Sequence, residues 1–344
     1  MSFSSEILIW YDENKRDLPW RNIDNPYVIW IAEVVFQQTR IVQGLPYFLS
    51  FINSFPSVTD LAMALESDVL KKWQGLGYYS RARNLHFSAN FIVNELNGVF
   101  PKTYKDLLLL KGVGPYIAAE VASVCYGEVV AAVDGNVQRV ISRYFGIQEA
   151  INSTVGAKLI NELANAHIDP LRPGDFNQAL MDYGSSICSP KAPNCEGCAF
   201  NESCWAFRNG KQLELPIKLK KVKIRNRYFN YLLNITDRKL AVYQRGEGDV
   251  WQGLFEPFLM ETANEVTYIS DLEPNLPGYL LYAQKRILSH QRLFLSFWVT
   301  ERATDSMGGM EWKSLDELSH LPVSKSIEQL FSATEFRSLF NSVE

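Results

Sequence analysis

From Pro26 to about Gly127 the apolar residues recur at helical spacing. The run is broken only at Gly44-Leu45-Pro46, Phe55-Pro56-Ser57, Gln74-Gly75-Leu76-Gly77 and Gly98-Val99-Phe100-Pro101. One period held over this length, with Thr59 and Ser67 placed as N-caps, predicts an all-α region. Beyond Arg227 the period shifts towards two. Tyr228 to Ile235, Leu240 to Gln244 and Leu293 to Thr300 read as strands, and Leu315 to Leu318 and Ile327 to Phe331 as short helices. The second region is therefore α+β. Between the two, Lys218, Lys220, Lys221, Lys223, Arg225 and Arg227 crowd together. That stretch reads as a linker, either solvated or lying along a polyanion. A chain of 344 residues has room for such an organisation in two or three domains.

No apolar run is long enough to span a bilayer, and Ile7 to Trp10 is too short for a signal sequence. The expectation is a soluble, cytoplasmic protein without a membrane partner. The net charge of -4 argues only weakly against nucleic acid, because a local basic groove is enough.

Within the helical region, Pro26 to Arg40 reads as one helix, capped by Asp24 or Asn25 with Pro26 in its first turn. Glu33 stands alone there among Ile31, Ala32, Val34, Val35 and Phe36. A carboxyl in apolar surroundings holds its proton towards neutrality, which is the profile of a general acid; a solvent-facing glutamate is the bland alternative. Gln37 falls one turn on, and Gln38 and Thr39 add polar groups at the helix end. Asp134, in Val133-Asp134-Gly135-Asn136, reads as the cap of a helix starting around Asn136. Backbone N–H groups and the helix dipole should lower its pKa and keep it charged. One carboxyl held neutral and one held charged is the division of labour used to cleave glycosidic bonds. A purely structural cap is the competing reading of Asp134.

Two turns suit a polyanion. Leu110-Lys111-Gly112-Val113-Gly114-Pro115-Tyr116 runs from one helix end straight into the next. Gly112, Val113 and Gly114 let backbone N–H groups and a helix N-terminus approach a phosphate, as in a helix-hairpin-helix; a plain αα-hairpin is the alternative. Gly75 to Arg83 pairs glycines with Leu76, Tyr78, Tyr79, Arg81 and Arg83, so an aromatic ring is available to stack on a base; a tight turn before a core helix, with the arginines in solvent, is the alternative.

Of five cysteines, four lie close in sequence: Cys188, Cys195, Cys198 and Cys204, spaced C-x6-C-x2-C-x5-C. Such a set in a reducing compartment fits a [4Fe–4S] cluster or a structural zinc better than disulfides. Cys125, in an apolar helix, reads as core. Lys191 sits inside the first cysteine loop, either solvated or directed at a phosphate.

Taken together, Leu18-Pro19-Trp20-Arg21, Glu33 with Gln37-Gln38-Thr39, Gly75-Leu76-Gly77-Tyr78-Tyr79, Gly112-Val113-Gly114, Val133-Asp134-Gly135-Asn136, Phe176-Asn177-Gln178 and the cysteine spacing resemble the MutY-type adenine DNA glycosylases of the helix-hairpin-helix superfamily. The resemblance covers essentially the whole chain. It implies a multidomain protein: an all-α helix-hairpin-helix glycosylase core with a [4Fe–4S] loop, followed by an α+β Nudix-like C-terminal domain. The implied division is an iron–sulfur domain of residues 1–24 with 131–216, a six-helix barrel at 25–130, a basic linker at 217–227 and a recognition domain at 228–344. The implied partner is double-stranded DNA carrying an adenine:8-oxoguanine mispair, bound by a monomer that associates with the nucleoid.

Carried over residue by residue, Glu33 matches the acid that protonates adenine N7. Asp134 matches the carboxylate that stabilises the oxocarbenium-like sugar, and Tyr116 and Asn136 match polar groups around that sugar. Trp20, Arg21 and Gln178 match positions around the extruded adenine. Gln38, Thr39, Leu76 and Tyr78 match residues that probe or wedge the duplex. Ser289 and His290 match a Phe-Ser-His loop that reads 8-oxoguanine, with Leu288 in place of the Phe. The related endonuclease III enzymes carry a lysine where Tyr116 stands, and that amine cuts the strand through a Schiff base. Tyr116 therefore implies a monofunctional glycosylase. A bifunctional glycosylase/lyase and a catalytically silent lesion-binding protein are the alternatives.

Overall fold

The computed structural model describes residues 2–219, 224–301 and 309–341. The chain forms two compact units, Met1–Ala62 with Phe87–Lys220, and Met63–His86 with Lys221–Glu344. No helix among the described residues is long and apolar enough to cross a membrane.

Helices fill the N-terminal two-thirds of the chain: α1 Phe3–Asn14, α2 Pro26–Val35, α3 Ile41–Ser54, α4 Val58–Met63, α5 Glu66–Lys72, α6 Ser80–Glu95, α7 Tyr104–Leu107, α8 Pro115–Tyr126, α9 Gly135–Phe145, α10 Thr154–His167, α11 Pro173–Ser186 and α12 Trp205–Arg208. The all-α expectation for Pro26 to Gly127 holds. In the first unit α11 is the central rod, packing on α1, α8 and α9. It can be central because Phe176, Ala179, Leu180 and Tyr183 are all buried. Their core cluster takes in Phe3, Ile7 and Tyr11 of α1 and Val137, Val140 and Ile141 of α9. Gly184 permits the closest approach: a Cβ there would sit 2.7 Å from the Cβ of Asn136 on α9. An ion pair pins the segment after α1 to the same rod. Arg21 Nη1 lies 2.9 Å from Asp182 Oδ2, the side chains being 7% and 1% exposed. Arg16 also pairs with Asp182, so it is removal of Asp182 that would strand the buried Arg21 charge, at a cost of about 3–5 kcal/mol.

The second unit is built on a six-stranded mixed sheet: β1 Arg225–Thr236, β2 Lys239–Gln244, β3 Phe255–Thr262, β4 Gly278–Ile287, β5 Gln291–Thr300 and β6 Glu311–Lys313, in the order β4-β5-β1-β3-β2-β6. β1 is central and runs parallel to β5 and antiparallel to β3. Phe229, Tyr231, Leu233, Leu295 and Phe297 bury one face against α13 Leu315–His320, α14 Lys325–Ser332 and α15 Thr334–Ser338. Leu232 and Trp298 bury the other against Ile269 and Leu276. The three strands expected from sequence are β1, β2 and β5. β3, β4 and the three-residue β6 are additional. β4 is an edge strand whose residues are mostly exposed or half-exposed on both faces, so it shows no alternation to read.

The basic stretch is corrected in one respect. Arg227 is no solvated linker residue; it lies inside β1, is 9% exposed, and donates to Asp249 and Glu261 at 2.6 Å each. Lys220, Lys221 and Lys223 lie outside the described residues.

Candidate active site and associated clusters

α2 carries the first carboxyl. Asn25 caps it, accepting from the N–H groups of Tyr27 and Val28, and Pro26 occupies its first turn. The helix is shorter than its sequence pattern: it ends at Val35, and Gln38 takes a φ of +57°. Gln37, Gln38 and Thr39 therefore stand in a turn beyond the helix rather than on its last turn, with Thr39 Oγ1 3.4 Å from the carbonyl of Gln37. Buried Ile31, Ala32, Val34 and Val35 surround Glu33 in the sequence.

Across from α2, Tyr116 on α8 donates to Glu33 Oε2 at 2.5 Å, and its oxygen also lies 3.1 Å from Met181 Sδ. Burial pushes the Glu33 carboxyl up to about 7. The charge of Asp134 pushes the same way, against the hydrogen bond from Tyr116 and the charge of Arg21. Burial, with the charge of Glu33, raises the Tyr116 phenol well above its ordinary range, so it remains a donor. A carboxyl with a pKa near neutrality can deliver a proton and later take one back.

Asp134 caps α9 as expected. Its Oδ1 accepts from the N–H groups of Asn136 and Val137, each at 2.8 Å, and its Oδ2 from Asn136 Nδ2 at 2.7 Å. The expected lowering of its pKa is corrected. Burial outweighs these bonds and the nearby Arg139, and the net direction is upward. Asn136 is itself held, its Oδ1 accepting from Arg139 Nη2 at 2.9 Å. The bond between Tyr116 and Glu33 joins α8 to α2, and the charge of Asp134 on α9 bears on both groups.

Around this centre runs a polar chain. Arg21 donates to Asp182 and, at 2.7 Å, to the hydroxyl of Tyr11, which donates to Gln178 Oε1 at 2.8 Å. Gln178 is 8% exposed. Trp20 is buried, stacked on Phe36 with ring centroids 4.4 Å apart. A groove of about 550 Å³ lies beside the chain, lined by Tyr11, Asn22, Asp24, Ser123, Arg172 and Gln178 but not by Glu33 or Asp134.

Sequence reasoning passed over Glu120, which is 1% exposed on α8. Burial and the charge of Glu33 raise its carboxyl well above the ordinary range. The signal was the one that singles out Glu33, a lone carboxylate in an apolar helix. Tyr11 and Asp182 were passed over too; in sequence they look like ordinary helix residues.

The helix-hairpin-helix turn forms between α7 and α8. Gly112 has a φ of +83°, which a side chain would strain. Gly114 caps α8 with no side-chain bond to its first N–H groups, and Pro115 follows. Val113 is buried and anchors the turn.

The four thiols pack beside the core of α1, α9 and α11. Cys188, Cys198 and Cys204 touch it, and Cys195 feels the charges of all three. Donors are aimed at the sulfurs: Arg143 Nη1 lies 3.3 Å from Cys188 Sγ, and the Phe200 N–H 3.4 Å from Cys198 Sγ. Tyr183 Oη is 3.0 Å from Cys198 Sγ. Among the described residues, no three His, Cys, Asp or Glu side chains close up around a single metal ion. Lys191 is exposed in this loop.

In the second unit, a pocket of about 670 Å³ brings together Leu76, Tyr78, Arg83, Trp251, Ser289 and His290. Ser289 and His290 form the exposed turn between β4 and β5, with Ser289 Oγ 3.1 Å from His290 Nδ1. Tyr78 is 48% exposed, and the guanidinium of Arg81 lies over its ring.

Residues 31–166 match the HhH-GPD family, described as HhH-GPD superfamily base excision DNA repair protein. The chain is 40% identical over 223 residues to the adenine DNA glycosylase of Mus musculus, covering 62% of this chain and 43% of that protein. The chain thus spans under half the length of that relative. It is 30% identical over 303 residues to the adenine DNA glycosylase of Buchnera aphidicola subsp. Baizongia pistaciae, covering 86% of each. Among solved structures, a thermostable thymine-DNA glycosylase aligns with a TM-score of 0.56 at 33% identity, over 60% of this chain and 95% of that one. A non-covalent endonuclease III–DNA complex aligns at 0.52 with 20% identity, over 60% and 94%, and shares the fold.

Proposed function

The chain belongs to the adenine DNA glycosylase family of the HhH-GPD superfamily, and from that premise we propose that it hydrolyses the N-glycosidic bond of adenine mispaired with 8-oxoguanine or guanine in duplex DNA. The carrying observation is Tyr116 donating to a Glu33 carboxyl raised to about 7. Glu33 delivers its proton to adenine N7, and the base leaves as a neutral group. Positive charge then develops on the sugar. Asp134, held by three hydrogen bonds to Asn136 and Val137, faces that charge and stabilises it. The Glu33 carboxylate left behind accepts a proton from the attacking water, as microscopic reversibility requires.

Tyr116 stands where a lyase would need an amine. A phenol forms no Schiff base, so the product is an abasic site on an intact strand. Trp20, Arg21 and Gln178 shape the adenine pocket. The N-terminus of α8, with Gly112, Val113 and Gly114, grips a backbone phosphate, and Lys191 adds a contact from the cysteine loop. Gln37, Gln38 and Thr39 in the turn after α2 probe the duplex, with Leu76 and Tyr78 wedging it. Such wedging offsets part of the few kcal/mol that base extrusion costs. In the second unit, a Nudix-like fold by this reading, Ser289 and His290 read 8-oxoguanine.

The four cysteines fit a [4Fe–4S] cluster. The donor set is all thiol, and its sulfurs receive donors from Arg143 and Phe200. When bound, the cluster would cross-link the Cys188–Cys204 loop and add a redox-active group beside α9 and α11.

The test is single-turnover cleavage of labelled duplexes with adenine opposite 8-oxoguanine, guanine or thymine, with and without hot alkali. Alkali-dependent breaks opposite 8-oxoguanine and guanine alone are expected. Breaks without alkali would overturn the monofunctional assignment.

A further inference from the structure

Tyr116 and Glu120 stand one turn apart on α8 and so share a face of that helix. Tyr116 serves Glu33. Glu120 is 1% exposed, its Oε2 makes no hydrogen bond to another protein group, and the amide of Gln178 faces its carboxyl. The other end of that amide is already fixed. Arg21 can only donate, so the oxygen of Tyr11 accepts from it, and the Tyr11 proton goes to Gln178 Oε1. Nε2 is then the atom turned towards Glu120.

We propose that Glu120 is a positioning residue: it holds the Nε2 end of Gln178 so that the free edge of that amide matches adenine. The inference rests on the adenine glycosylase reading above. An amide offers two donor hydrogens and two acceptor positions. Tyr11 takes one acceptor position and Glu120 one hydrogen. One acceptor and one donor remain side by side, which is the pattern that pairs with adenine's 6-amino group and an adjacent ring nitrogen. Rotating the amide by half a turn would reverse that pattern and lose the bond from Tyr11. Burial and the charge of Glu33 raise the Glu120 carboxyl well above the ordinary range, and its carbonyl oxygen is the atom that accepts from Gln178. Glu120 acts through Gln178 and does not itself touch the base.

The experiment compares single-turnover rates on duplexes carrying either adenine or purine, which lacks the 6-amino group, opposite 8-oxoguanine. The proteins are the parent, Glu120→Gln, Glu120→Ala, Gln178→Ala and the Glu120→Ala/Gln178→Ala double variant, each checked by melting and duplex binding. Glu120→Ala should slow adenine excision about tenfold and purine excision much less, so the adenine-over-purine ratio falls. Glu120→Gln, a neutral isostere that keeps a carbonyl acceptor, should stay within about twofold of the parent. The double variant should be no slower than Gln178→Ala alone, because the two act as one unit. Equal losses on both bases, or losses that add in the double variant, would overturn the proposal and leave Glu120 a packing residue. If Glu120→Ala does not fold, Glu120→Leu fills the site and gives the same readout. A parent protein that excises neither base would instead overturn the glycosylase reading, whatever Glu120 does.

Discussion

The hydroxyl of Tyr116 donates to Glu33 Oε2 across 2.5 Å, joining a phenol on α8 to a carboxyl on α2. The bond favours the charged form of Glu33 and therefore opposes the burial that raises its pKa to about 7. In the proposed mechanism protonated Glu33 is the active form, so the excision rate should fall as pH rises through about 7. Tyr116→Phe removes the opposing bond. Its alkaline limb should move to higher pH, while its rate at pH 6 falls by about tenfold or less. A pH–rate series on both proteins, under single turnover, checks the direction. A limb displaced to lower pH would contradict the bond's assigned effect.

Glu33 also links pH to stability. Its folded pKa lies above that of an unfolded glutamate, so the native state binds more protons between about pH 4.5 and 7. The contribution is therefore most favourable at the acid end and is lost as pH rises through 7, where the native state holds a poorly solvated charge. Glu33→Gln removes that charge. It should raise Tm relative to the parent at pH 8 and change it little at pH 5. Thermal melts at the two pH values decide this; the opposite order would mean that the charged form is the comfortable one.

The cysteine loop should absorb visible light when the protein is purified without chelators. Cys198 touches the core and receives the Phe200 N–H at its sulfur. Cys198→Ser should therefore bleach the absorption and lower Tm, through loss of a cross-link on the core of α1, α9 and α11. A colourless parent protein containing zinc would contradict the cluster.

In the second unit, Ser289→Ala with His290→Ala should reduce the preference for adenine opposite 8-oxoguanine over adenine opposite guanine, leaving the latter rate nearly unchanged. Parallel single-turnover assays on the two duplexes measure this. An equal loss on both would place the pair in general DNA binding rather than lesion reading.

Much of the site was legible because its residues break local rules. Glu33 is a charge inside an apolar helix, Asp134 precedes a glycine at a helix start, and four cysteines crowd one loop. The helical period carried α8, while α2 stops at Val35, short of the pattern that runs on to Arg40. What sequence hid depends on packing. Asp134 accepts every bond a cap should, yet burial, which no local pattern reports, turns its pKa upward. Arg227 looked like part of a basic linker because its partners Asp249 and Glu261 are distant in sequence. Glu120 carried the same signal as Glu33, and only the approach of α11 with Gln178 shows what it faces. β4 escaped because an edge strand exposed on both faces has no period.

The most direct test of the account is Glu33→Gln beside the parent in a single-turnover assay at pH 6.5 on adenine opposite 8-oxoguanine, with duplex binding measured on the same samples. The parent should give alkali-dependent strand breaks. The variant should bind the duplex and give essentially none, because the amide that replaces the carboxyl has no acidic proton to deliver to adenine N7. A variant that excises adenine as fast as the parent would contradict the assignment of Glu33 as the acid.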